Sequence, residues 1–268
     1  MGEDKQVSEN FVEDTTSRSI EPGVREAVIT DRWNTGFGSP NGGYALALML
    51  RGAMDEFDVG RPSVLAITYL SSPQPNVAAR IEYSLVKAGN RVQTVAATLQ
   101  QDGKPVLHLV ANFLRNHTGL SHELGKAPTL PPPEECLDPK SSGMTPAGLF
   151  DRLDHRWPAV PGWALGKPNG DPTVSTWIRL TEAQTIDWAA LAMLCDASPP
   201  PVMELGQRMS MTVQLTVHLH RLPEPGAWVA SRMSTQHVVE GMHEEDGELW
   251  DEQGNLLAQS RQLAILLS

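Results

Sequence analysis

Few side chains in this sequence stand where they could do chemistry, and Asp196 is the most conspicuous of them. It closes the apolar run WAALAMLCD, just ahead of three consecutive prolines. An acid at the end of a buried helix is either a carboxylate satisfied by backbone amides or a proton acceptor tuned by burial. Gly42 and Gly43 open a second apolar run, where a helix N-terminus leaves amides unpaired and glycine lets an oxygen approach closely. Other constellations are weaker. His218 and His220 are two residues apart on a strand-like run, hence on one face, but partners at metal-ligand spacing are absent. Ser210, Ser234 and Ser260 lack the G-x-S-x-G elbow of a serine nucleophile. Cys136 and Cys195 make no disulfide framework, and a thiol in an apolar helix is a small inert packing group.

These residues need elements to hold them. The spacing predicts a helix from Thr181 to the prolines at 199–201, with Thr181 and Gln184 at capping-box spacing and Ile186, Ala189, Ala190, Met193 and Leu194 on one face. Trp188, Ala192 and Cys195 make the other face apolar too, so the helix is buried. A second all-apolar helix is predicted over 44–54, capped by Asn41. A short strand is expected at 28–31. Strand-like runs follow at 63–72, 78–89, 91–101 and 105–115, read as an antiparallel meander with Asp102-Gly103 as a hairpin turn.

The second half repeats this order. A run at 172–180 precedes the Thr181 helix, and runs at 207–221, 227–238, 241–251 and 256–267 follow it, with Gly254 in the matching turn. The offsets are 145 residues for LALML against LAMLC, 147 for Ser63 against Ser210 and 151 for Gly103 against Gly254, which indicates an internal duplication. The fold class is therefore α+β: two β-α-β-β-β-β units, each a curved antiparallel sheet around one buried helix, which is the double-hotdog arrangement. Joining the two sheets edge to edge would hide otherwise exposed strands. The boundaries read as residues 1–115 for the N-terminal unit, with 1–20 a loose arm, 116–146 for a linker, and 147–268 for the C-terminal unit. The linker carries six prolines and is expected to be partly polyproline II, with room to cover a sheet face.

Composition excludes several classes. A net charge of −11 with no Lys/Arg cluster argues against nucleic acid or an anionic membrane surface as partner. No apolar run approaches the roughly 18 residues of a membrane span, and the acidic N-terminus has no signal-peptide core. A soluble cytoplasmic protein is expected. A double hotdog is already an internal dimer, and pairing of two chains into a homodimer is compatible with the pattern.

PNGGYALALML, KAGNRVQTVAATLQQDGKPV and DGELWDEQGNLLAQSRQLAIL are similar to segments of the acyl-CoA thioesterase II family, in its bacterial thioesterase-like branch. The resemblance runs over nearly the whole chain outside the arm and linker. It implies hydrolysis of an acyl-CoA, with no cofactor and no metal, and it implies a site. The family's helix-end Asp falls on Asp196, its strand Thr or Ser, nine residues before Arg221, on Thr212, and its last-strand Gln on Gln262. There are departures: Gln214-Leu215 replace an Asp-His pair, Val217-His218-Leu219 replace a more aromatic core, and the triproline after Asp196 is unusual. On this reading Asp196 accepts a proton from a water that Thr212 and Gln262 hold, while the Gly42 and Gly43 amides polarise the thioester oxygen and Tyr44 lines the tunnel. By the repeat offsets the counterparts of Asp196, Thr212 and Gln262 are about Arg51, Leu65 and Ala111, so one site per chain is expected. The alternatives are a non-catalytic acyl-CoA or lipid binder and a hotdog hydratase or dehydratase, the latter disfavoured because no His lies near Asp196 in sequence.

Overall fold

The computed structural model describes residues 11–142, 148–207 and 209–267. In chain order the elements are α1 (Phe11–Asp14), β1 (Arg18–Glu21), β2 (Val24–Val28), α2 (Gly42–Glu56), β3 (Arg61–Tyr69), β4 (Ala78–Ala88), β5 (Val92–Gln101) and β6 (Lys104–Leu114). The second half supplies β7 (Leu153–Arg156), β8 (Thr173–Leu180), α3 (Trp188–Leu194), β9 (Ser210–Leu219), β10 (Val229–Ser234), β11 (Val238–Val239), β12 (Met242–Trp250) and β13 (Leu256–Leu266).

One antiparallel sheet runs through both halves in the order β1-β2-β4-β5-β6-β3-β9-β13-β12-β10-β8-β7, with β11 beside β12. The first unit reads β2-β4-β5-β6-β3 from its outer edge and the second reads β8-β10-β12-β13-β9, so the duplication inferred from sequence is present as repeated topology. The two units join where β3 pairs with β9, with Val64 opposite His218 and Thr68 opposite Gln214. This corrects the expected meander. β3 lies beside β6 and β9, never beside β4, because the sheet wraps the helix and brings the strand after it round to the far edge. That edge is the one that meets the other unit, so both sides of β3 are hydrogen-bonded.

Inside the curve, α2 and α3 pack on each other. Leu46, Leu48, Met49 and Leu50 are wholly buried, each worth ~1.5–3 kcal/mol. Asn41 caps α2 as expected, its side chain accepting from the Tyr44 amide at 2.9 Å. The Asp102-Gly103 hairpin turn is also as expected, both residues having positive φ.

α3 is shorter than its pattern suggests. Thr181–Ala183 form a separate 3-10 turn, Ala183 sits at φ 50°, and the side chain of Gln184 accepts from the Phe11 amide instead of closing a capping box. The cap is Asp187, which accepts from the Ala190 amide at 2.8 Å and pairs with Arg51 of α2 at 2.7 Å. A charged capping side chain with a cationic partner outcompetes Thr181 for the start of the helix.

The N-terminal arm is corrected in the same way. Residues 1–10 lie outside the described residues, but 11–20 are integrated into the fold. Phe11 is 1% exposed and meets Trp33 edge-on at 5.1 Å, while buried Asp14 accepts from Trp33 Nε1 at 2.8 Å and pairs with Arg32. The acidic composition hid this because the partners lie some 20 residues downstream. The strand expected at 28–31 ends at Val28, and a further strand, β7, extends the second unit. The proline-rich segment covers the outer face of that unit: Ala127, Leu130 and Cys136 pack against Trp177, Ala230 and Trp250, and Trp177 Nε1 donates to the Pro131 carbonyl at 2.8 Å.

Candidate active site

The carboxylate of Asp196 crosses from the end of α3 to the start of α2. Its Oδ2 accepts the Gly43 amide at 2.7 Å and Asn41 Nδ2 at 3.1 Å, while Asn41 Nδ2 also donates to the Asp196 carbonyl at 2.8 Å. Asn41 thus has two duties, capping α2 with its oxygen and holding Asp196 with its nitrogen. Gly43 is required here: a Cβ would lie 2.7 Å from the Met193 carbonyl and 2.9 Å from Asp196 Cβ, so only glycine lets the two helix ends meet. Burial raises the Asp196 carboxyl from 3.8 to about 6, against the opposing pull of the Gly43 amide and Asn41. Part of its surface stays open to solvent. A carboxylate walled in on this side ionises near neutrality.

Gly42 shapes the space beside it. A Cβ there would lie 2.7 Å from Tyr69 Oη and 2.9 Å from Asp196 Oδ2, so the two oxygens flank one small gap. The Tyr69 hydroxyl is buried and has no hydrogen-bond partner, and burial followed by the Asp196 charge pushes its pKa well above the usual value. The Gly42 amide is likewise without a partner among the described residues. Together they present two unused donors beside a carboxylate.

From the second unit, Thr212 Oγ1 donates to Gln262 Oε1 at 2.9 Å. Gln262 stands opposite Glu245 on β12. Glu245 is 4% exposed and its Oε2 has no partner. Burial, then the charge of Asp196, raises its carboxyl from 4.5 to about 8. Ser260, on the same face of β13 as Gln262, donates to the carbonyl of Cys195 at 3.4 Å, tying that strand to the turn that carries Asp196.

Of the residues singled out in the sequence, Asp196, Gly42 and Gly43 come together, and Thr212 and Gln262 form a separate hydrogen-bonded pair on β9 and β13. The Gly43 amide is committed to Asp196, which leaves Gly42 as the free one. Tyr44 is placed elsewhere: its ring stacks on Trp33 at 5.8 Å, and its hydroxyl donates to the Asp14 carbonyl and accepts from the Thr30 amide. Successive helix residues diverge by about 100°, so the residue after Gly43 enters the core. Sequence reasoning missed Tyr69 and Glu245. Glu245 sits in HEEDGE, which reads as a solvated charge run; its signal was the period-two register with buried Leu249 and His243.

The chain as a whole has parallels among known proteins. Residues 29–114 match the family model of the acyl-CoA thioesterase N-terminal domain, and residues 133–266 match that of the acyl-CoA thioesterase C-terminal domain. Fold and matched domains together define the class, a thioester hydrolase built as a double hotdog. Within that class the chain belongs to the acyl-CoA thioesterase family. It is 25% identical to the thioesterase-like protein TwmA of Talaromyces wortmannii, over 85% of this chain and 84% of that one. A hot dog fold protein of unknown function from Alicyclobacillus acidocaldarius superposes with a TM-score of 0.86 at 24% identity, covering 96% and 98% of the two chains. An acyl-CoA thioesterase II from Mycobacterium marinum does so with a TM-score of 0.77 at 17% identity, covering 96% and 98%.

Proposed function

We propose that the protein hydrolyses acyl-CoA thioesters to a free acid and CoA by direct attack of a water. The observation that carries the reading is Asp196, a carboxylate raised to about 6 by burial, anchored on a helix N-terminus and flanked by polar groups with unused hydrogen-bonding capacity. Asp196 accepts the proton of a water that Thr212 Oγ1 and Gln262 Nε2 hold in place. The water oxygen bonds to the acyl carbon, charge builds on the carbonyl oxygen, and the C–S bond then breaks. The Gly42 amide and Tyr69 Oη are the donors for that oxygen, in a site where preorganised dipoles are worth more than in water. No acyl-enzyme forms, because none of the residues in this set is a nucleophile activated by an adjacent base.

The test is turnover of a series of acyl-CoA esters of increasing chain length, followed by thiol release. The reading expects at least one chain length to be hydrolysed well above the uncatalysed rate. A flat response across the whole series overturns it.

A further inference from the structure

The mechanism above uses one carboxyl group, and the site contains two. Glu245 reaches the site from β12, opposite Gln262, and is nearly enclosed by protein. One carboxyl oxygen lacks any hydrogen-bond partner. An unpartnered polar atom in so buried a place is costly unless a bound molecule bonds to it. Gln262 links Thr212 and Glu245: its Oε1 accepts from Thr212, and it faces Glu245 across the pairing of β12 with β13. The water-holding side of the site and Glu245 therefore stand on paired strands, opposite one another.

We propose that Glu245 is the acid that protonates the departing sulfur, so that hydrolysis is divided between Asp196 as base and Glu245 as acid. The proposal rests on the thioesterase reading. The electrostatics support it independently of the geometry. Two carboxyls coupled through a low-dielectric site do not both ionise readily, and one keeps its proton. Glu245 is the one held protonated, up to about 8, against about 6 for Asp196. The charges bearing on Glu245 are those of Asp196 and the neighbouring Asp246, both of which favour the protonated form. His243, on the same face of β12, stays neutral because burial lowers its pKa.

The step balances. The water O–H bond breaks and its proton goes to Asp196; the oxygen–carbon bond forms; the C–S bond breaks with its electron pair on sulfur; and the proton of Glu245 passes to that sulfur. Asp196 then releases its proton to solvent and Glu245 takes one up, leaving a net reaction of thioester and water to carboxylic acid and thiol.

A comparison of leaving groups tests the proposal. Glu245→Gln keeps the shape of the side chain but has no acidic proton. Against an acyl-CoA, whose alkylthiolate is the more basic leaving group and gains more from a proton donor, kcat/KM is expected to fall about 100-fold, within the usual range for general acid catalysis. Against the S-(4-nitrophenyl) thioester of the same acid, whose thiolate leaves unaided, it should fall by less than about threefold. Equal losses on both esters, or no loss on the acyl-CoA, overturn the proposal while leaving hydrolysis by Asp196 standing. A wild-type protein that releases no thiol from either ester overturns the hydrolase reading and this assignment with it. Should the variant fail to fold, the wild-type pH profile decides: kcat/KM must decline through about pH 8 for the acyl-CoA and not for the nitrophenyl ester, and identical profiles refute the acid role.

Discussion

Replacing Glu245 by glutamine has a consequence for stability that the structure allows to be worked out. The folded protein holds this carboxyl protonated up to about 8, against an ordinary value of 4.5, first because burial penalises the anion and then because Asp196 is close. At about 1.36 kcal/mol per unit, the whole displacement corresponds to ~5 kcal/mol. The folded state binds the proton more tightly than the unfolded chain, so this contribution is complete below 4.5 and is lost as pH rises to about 8. Asp196 has the same sign over a lower window, from 3.8 to about 6. Between about pH 6.5 and about pH 9 Glu245 is therefore the titrating member of the pair, and ionising it costs the wild type ~2 kcal/mol that Glu245→Gln does not lose. Urea unfolding of both proteins at the two pH values, at fixed ionic strength, gives the double difference in which all other titrations cancel. A gap between wild type and variant that is the same at both pH values, within about 0.5 kcal/mol, means that Glu245 is already ionised in the folded protein and refutes the reasoning.

Other perturbations separate the remaining parts of the site. Tyr69→Phe removes a buried hydroxyl that has no hydrogen-bond partner among the described residues, so unfolding should show unchanged or slightly higher stability, while kcat falls ~100-fold if the hydroxyl serves the carbonyl oxygen. Gly42→Ala places a methyl 2.7 Å from Tyr69 Oη and 2.9 Å from Asp196 Oδ2, contacts that force one of them to shift; activity should drop sharply and the melting temperature should fall with it, since overpacking a buried site costs about 1–3 kcal/mol. The kcat/KM profile should rise with pH through about 6, because Asp196 accepts a proton only when ionised. A profile flat from pH 5 to 7 would remove Asp196 from the role of base.

How much of this was legible beforehand depends on where the physical signal lies. The helix 44–54, its Asn41 cap and the Asp102-Gly103 turn are local features, decided by residues within a few positions of one another, and the sequence pattern locates them. The duplication is legible because two all-apolar helices recur in the same order with strands of similar length. What failed was non-local. Thr181 offers a respectable cap, but Asp187 gains Arg51 from the other helix, a partner 136 residues away. Phe11 and Asp14 look like part of a solvated acidic arm until Trp33 and Arg32 are brought beside them. The site shows the same division. Asp196 stands out as a lone carboxylate closing an apolar run, whereas Tyr69 and Glu245 look like ordinary strand residues. They become notable only when β3 crosses to the junction and β12 turns its period-two face inward. Gly43 was legible as a glycine needed at a helix start, but its amide bonds an aspartate from the other unit instead of standing free.

The central claim is that Asp196 is the base of a hydrolytic site, and the most direct measurement is thiol release from the best acyl-CoA substrate by wild type and by Asp196→Asn. The amide retains the contact with the Gly43 amide through its oxygen and removes only the capacity to take a proton. The account predicts a fall in kcat of ~10²–10⁴-fold with the unfolding midpoint preserved. An Asp196→Asn protein that hydrolyses the same substrate at the wild-type rate would contradict it.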